Sequence, residues 1–155
     1  MADRNARYNL GSTVRNFNDP MLALMILDDK HRERFRFERR SVTQTPAGPV
    51  VTVAFTERDA PSLIRGSDGR HVFTKGELAI DAATGRLRRT IITMKVGATE
   101  ASLTTVFTEN EKLGLWLPAS LTERYENTSD GRGELVVAES TYSNYRRFNV
   151  KVIIK

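Results

Sequence analysis

A chain of 155 residues, 39% hydrophobic and 28% charged, suits one domain large enough to bury its own core. It has no cysteine and only two histidines, His31 and His71, which excludes disulfides and thiol chemistry and argues against a histidine-rich metal site. The net charge of +5 favours acidic partners in general terms. Cations and carboxylates are interleaved, however, as in Arg36-Phe37-Glu38-Arg39-Arg40, and that mixture describes a solvated strand face.

Residues 1–17 are polar with scattered Tyr8, Leu10, Val14 and Phe17, a pattern for a first strand or an ordered arm. The beginning of the chain lacks the apolar core of a signal peptide, so the expectation is either a cytoplasmic protein or a mature domain given a new start methionine. A helix is predicted from about Pro20 to Asp29, with Asp19 as N-cap, Pro20 at the first helical position and Lys30, His31 and Arg32 near its C-terminal end. Its run Met21 to Leu27 is the longest apolar one and far short of the roughly 20 residues that span a bilayer. Being apolar on every side, this helix is expected to be buried all round.

Strand patterning follows. Phe35 and Phe37 alternate with Arg34, Arg36 and Glu38, and after a turn at Pro46-Ala47-Gly48-Pro49 the residues Val51, Val53 and Phe55 share one face. Pro61 to Arg65 is a short strand candidate before the turn Gly66-Ser67-Asp68-Gly69. Leu78 and Ile80, the turn Asp81-Ala82-Ala83-Thr84-Gly85 and the run Arg86 to Val96 read as a hairpin, with Gly85 free to take positive φ. Turns at Gly97 to Glu100 and Asn127 to Gly133 separate later runs: Ala101, Leu103, Thr105 and Phe107 form one inner face, Ala119, Leu121 and Tyr125 the next. Lys112 to Pro118 is a loop or the start of a strand. Leu135 to Tyr145 makes a long strand, and Phe148 to Ile154 extends it or forms a last one.

Turns every ten or so residues describe a meander. Many long twisted strands must curl, and a closed barrel of about eight strands has little room for a helix. The predicted fold is mainly β (α+β): one domain over residues 1–155, a single curved antiparallel sheet forming an open half-barrel around a short apolar helix.

The order of helix, paired strands, the hairpin Leu78-Ala79-Ile80-Asp81-Ala82-Ala83-Thr84-Gly85, the segment Gly114-Leu115-Trp116-Leu117-Pro118 and the closing Tyr142-Ser143-Asn144-Tyr145 resembles the bacterial outer-membrane lipoprotein-carrier and lipoprotein-sorting superfamily. The hairpin lacks the tryptophan and proline of that family's W-I-D-P-x-T-G pattern, and no local motif fixes which arginine would match a ligand-contacting one. The resemblance implies an unclosed barrel with helices at its mouth, an acyl chain or lipoprotein as ligand, a periplasmic or cell-envelope location and peripheral contact with a membrane.

The residues expected to line the concave face, and so to bind a hydrophobic ligand, are Leu22, Met25, Ile26, Phe55, Ile80, Ile92, Met94, Phe107 and Trp116. The plainer account of the aliphatic ones is core, and of Trp116 a core cap with its N–H on a carbonyl. Asp81 reads as a turn cap. No catalytic residue, metal ligand or cofactor is predicted, because Asp28, Asp29, Asp59, Asp68 and Asp81 all stand beside turns or helix ends. Tyr142, Tyr145, Arg146, Arg147 and Phe148 mix aromatics with cations but lack a nucleic-acid motif, so no nucleic acid is expected. The expected function is a non-catalytic envelope domain that binds an acyl chain or lipoprotein. The alternative is a structural or protein-interaction module from a longer envelope protein, without a ligand pocket.

Overall fold

The computed structural model describes residues 19–66, 68–129 and 133–148. The arm or strand expected over residues 1–17, and the strand expected beyond Phe148, lie outside the described residues. Strands take 60% and helices 8% of the described residues, so the protein is mainly β.

Among the described residues two short helices come first, α1 (Leu22–Leu27) and α2 (Asp29–Arg32). Asp19 accepts the Met21 N–H at 2.8 Å, as an N-cap would, but regular helix begins only at Leu22. It stops earlier than expected. Asp28 turns extended, with ψ of 135°, and its carboxylate accepts the Lys30 N–H at 3.0 Å, so the residue that was to continue the first helix instead starts the second. Nor is α1 buried all round. Leu22, Ala23 and Ile26 are buried, whereas Met21 and Met25 are 44% and 39% exposed.

Seven strands then form one antiparallel sheet in the order β1-β2-β5-β6-β7-β8-β9. They are β1 (Phe35–Thr45), β2 (Gly48–Glu57), β5 (Thr74–Asp81), β6 (Leu87–Val96), β7 (Thr99–Asn110), β8 (Leu115–Asn127) and β9 (Glu134–Thr141). The first and last strands do not pair, so the sheet is not closed. Between β2 and β5 the chain leaves the sheet and makes a two-stranded ribbon of β3 (Ile64–Arg65) and β4 (His71–Val72). The candidate strand Pro61 to Arg65 is thus only two residues long and stands outside the main sheet. β9 also ends at Thr141, short of the predicted Tyr145.

Period-two alternation gives the sheet one apolar face. Phe37, Phe55, Gly76, Ile92, Leu103, Glu123 and Ala138 stand opposite one another strand by strand across the whole sheet. Val53, Leu78, Thr90, Thr105 and Leu121 make a parallel row, and Met94, Ala101, Tyr125 and Val136 another. Leu22, Ala23 and Ile26 of α1, together with Ile64 and Val72 of the ribbon, join this face in one hydrophobic core. The alternation fails at one predicted place. The register shifts between Ala79 and Ile80, which buries Asp81 and leaves Ile80 only half-buried.

The turns are where glycine was expected. Gly85 has φ of 70° and its N–H donates to the Asp81 carbonyl at 2.9 Å. Gly48 has φ of 104° and completes the two-residue turn between the paired Thr45 and Gly48.

Candidate functional site

Of the nine side chains expected around a ligand, Leu22, Ile26, Phe55, Ile92, Met94 and Phe107 are buried members of the core. Ile80 and Trp116 pack against that core and are half-buried. Met25 points away from it. The first six are therefore brought together, but as side chains that fill one another's space, with Phe35 and Phe55 edge-to-face at 5.9 Å. Trp116 donates its indole N–H to the Leu87 carbonyl, and the Arg86 guanidinium lies 5.2 Å from its ring centre. That is the geometry of a capping tryptophan with a cation on its outer face.

Among the recesses of the described residues are the following three. One of about 220 Å³ is lined by Glu57, Phe73, Thr74, Met94 and Lys95 among others. A second of about 370 Å³ holds Arg40, Lys75, Glu77, Ile91 and Thr93, with Phe55 and Gly76 beneath. The third, of about 270 Å³, is polar and lined by Asn110, Lys112, Asn144, Tyr145 and Arg146. None of these three lies between α1 and the sheet, although Met94 and Phe55 each reach one of them.

Two acids stand on the apolar face where the sequence reading named none. Glu57 is 4% and Glu123 1% exposed. The Glu57 carboxylate takes the Leu63 N–H, the Thr74 N–H at 3.0 Å and the Thr74 hydroxyl at 2.9 Å, so one side chain ties the ribbon to β5. Glu123 accepts the Tyr125 phenol at 2.7 Å. Nearby, burial and then the Glu123 charge push the Tyr142 phenol above its usual range. The signal for both acids was parity: Val53-Phe55-Glu57 and Leu121-Glu123-Tyr125 each keep the inward step of two.

Asp81 is the best-connected acid on the hairpin. Its carboxylate accepts the N–H groups of Ala83 at 3.0 Å and Thr84 at 2.9 Å, as expected of a turn cap. Its other oxygen takes the Arg88 guanidinium, Nε at 3.0 Å, and Arg88 also reaches the Ala47 carbonyl. The Arg88 hydrogen bond, then those of Thr84, hold the Asp81 carboxyl well below the usual carboxylate range.

The histidines do not form a relay. His71 accepts the Ser62 N–H on Nδ1 at 3.0 Å, with the Ser62 hydroxyl 3.1 Å from the same nitrogen, while that hydroxyl also donates to the Ile64 carbonyl. A general base needs a nitrogen free to take the hydroxyl proton and a carboxylate behind the ring. Here the one nitrogen facing Ser62 already accepts a backbone donor, and no carboxylate reaches the ring among the described residues. His31 lies on α2, and its buried Nδ1 has no hydrogen-bond partner among the described residues. No group of three or more potential metal ligands occurs among the described residues, and no helix among them is long and apolar enough to cross a membrane.

Comparison of the chain with protein-family models, with curated proteins and with solved structures gives no match.

Proposed function

We propose that this chain is a non-catalytic interaction module: a half-barrel whose hollow side is filled by α1 and whose edge strand β9 receives an extended segment of a partner protein. One observation carries this reading. The side chains expected to surround a ligand are packed against one another and against Leu22, Ala23 and Ile26, so α1 takes the volume that an acyl chain would need. The chain leaving α2 feeds β1 at one edge of the sheet, and the buried side chains of α1 share a core with strands from β1 to β9, a placement that suits a plug.

The two edges differ in a manner that favours β9 for docking. β1 is exposed, bears Arg36, Glu38, Arg39 and Arg40, and carries a bulge between Arg39 and Ser41. Charges and bulges are how an edge strand repels a second strand. β9 carries Leu135 and Val137 at 53% and 51% exposure, and among the described residues it pairs only with β8. An extended peptide added there would gain main-chain hydrogen bonds and an apolar contact for alternate side chains. An envelope location and an envelope partner follow from the lipoprotein-carrier resemblance and belong to this same proposal.

A second reading keeps the acyl-chain ligand. It rests on the shortness of α1, six residues held by three buried side chains, since so short a helix depends on packing for its existence. Its departure would open the apolar face. Native mass spectrometry with lipid extraction of gently purified protein, and titration with a fluorescent fatty acid, separate the two readings. Lipid-free protein that ignores the fatty acid is expected of the module, and a co-purifying acyl chain would put the carrier in its place.

A further inference from the structure

We propose that the polar recess at one end of the sheet is a binding site for a phosphate-type anion, with a phosphomonoester as the ligand class. It forms where the turn between β7 and β8 meets the segment that follows β9, and its lining is Asn110, Lys112, Asn144, Tyr145 and Arg146. No residue of α1 or β9 belongs to its lining.

Charge is the first reason. Two cations and three neutral groups line the recess, with no carboxylate among them. Some arginines elsewhere on this surface have acids close by: Arg86 takes Glu109 at 3.2 Å, Arg40 takes Glu38 at 3.1 Å and Arg124 takes Glu126. Lys112 and Arg146 have no ion-pair partner among the described residues; of the two acids adjoining the recess in sequence, Glu109 is engaged by Arg86, and Glu111, between Asn110 and Lys112, is exposed and does not belong to the lining.

Donor geometry is the second. Asn110 uses its side-chain oxygen to accept the Leu113 N–H at 3.1 Å, which leaves its NH₂ as the group to offer a ligand. An ammonium, a guanidinium and amide donors converging on one volume match an oxyanion with several acceptor oxygens. The volume of about 270 Å³ falls at the lower limit of the roughly 300–1,000 Å³ of small-molecule sites, which suits a phosphomonoester better than a nucleotide.

The backbone supplies the third. Asn144 is the non-glycine residue with positive φ among the described residues, at 58°, a conformation that costs energy and gathers at binding sites. It persists because the neighbouring Tyr145 phenol donates to the Pro118 carbonyl at 2.7 Å and clamps the segment to β8. Burial raises the Tyr145 phenol above its usual range, so that clamp keeps its proton at neutral pH.

The test is a titration of the whole chain with inorganic phosphate, followed through the side-chain amide resonances of Asn110 and Asn144. Both are expected to shift and saturate, and Lys112→Gln and Arg146→Gln are each expected to weaken binding about tenfold. Arg147→Gln, at an exposed cation outside the lining, should leave it unchanged. These side chains are exposed, and the backbone amide spectrum of each variant reports whether it is folded. Glycerol phosphate and vesicles containing phosphatidate distinguish the sources: tighter binding to the vesicles assigns the site to a lipid headgroup, and equal or tighter binding of glycerol phosphate to a soluble ester. Silent Asn110 and Asn144 amides, or equal weakening by Arg147→Gln and Arg146→Gln, would overturn the proposal.

Discussion

Phe55 and Gly76 face each other across β2 and β5, and the phenyl ring occupies the space that any side chain at residue 76 would need. A Cβ there would lie 2.9 Å from Phe55 Cζ and 1.8 Å from the Ile91 carbonyl oxygen. A small ring movement relieves the first clash, but the second is with backbone. Gly76→Ala should therefore destabilise the fold by about 3 kcal/mol or more, the upper part of the range for overpacking. Urea unfolding measures this, and an unchanged midpoint would show that the strands approach less closely.

Glu57 makes a different kind of prediction, because what it supplies is acceptors. Glu57→Ala leaves the Leu63 and Thr74 N–H groups without their buried partner, each omission costing about 1–3 kcal/mol. Glu57→Gln keeps one carbonyl oxygen and should fall between Ala and wild type. Hydrogen exchange at the Leu63 and Thr74 amides should quicken in the same order. Equal protection in all three proteins would mean that the ribbon is held by Ile64 and Val72 alone.

The Asp81–Arg88 pair sets an acid limit on stability. The Asp81 carboxyl is held below its unfolded value, near 3.9, by Arg88 first and then by the turn amides. Folding then favours the ionised form, so its contribution is complete above the unfolded pKa and is lost as pH falls from there through the folded one. Asp81→Asn should remove that part of the acid limb while sparing the neutral-pH curve's shape. Thermal midpoints from pH 7 down to pH 2 report it, and parallel curves for the two proteins would contradict it.

Neighbours on α1 should behave oppositely if the helix fills the core. Ile26 is fully buried and Met25 is 39% exposed. Ile26→Ala is expected to cost about 2–5 kcal/mol, while Met25→Ala should stay within about 1 kcal/mol, near the scale of surface changes. Small, similar losses in denaturant titrations would mean that α1 merely rests on the sheet, which would strengthen the acyl-chain reading.

Much of the sheet was legible because parity is a local signal. Phe35 with Phe37, and Leu103 with Thr105 and Phe107, needed no partner to declare their face. Where the period broke, so did the reading: the shift at Ala79 and Ile80 depends on how β5 meets β6, which no single strand encodes. Glu57 and Glu123 obeyed the parity and were still missed, since carboxylates are read as solvent-facing and their donors come from residues distant in sequence or two positions on. The helix ended early because Asp28 caps the following turn rather than continuing its own. The recess at Asn110, Lys112 and Arg146 joins residues more than thirty positions apart, beyond the reach of spacing arguments.

The strand order carries a consequence for how the protein comes into being. From β6 onward each strand hydrogen-bonds to the one made immediately before it, and the departure from strict succession among the described strands, between β2 and β5, is bridged by the short β3–β4 ribbon. A ribosome extruding this chain can therefore lay the sheet down strand upon strand, with every new pairing closing a loop of modest length. Pairings so near in sequence lower the entropy lost before contacts form and favour rapid folding for a β protein. During synthesis the growing border is always the newest strand, so the apolar row on each is shielded from one side as soon as it emerges.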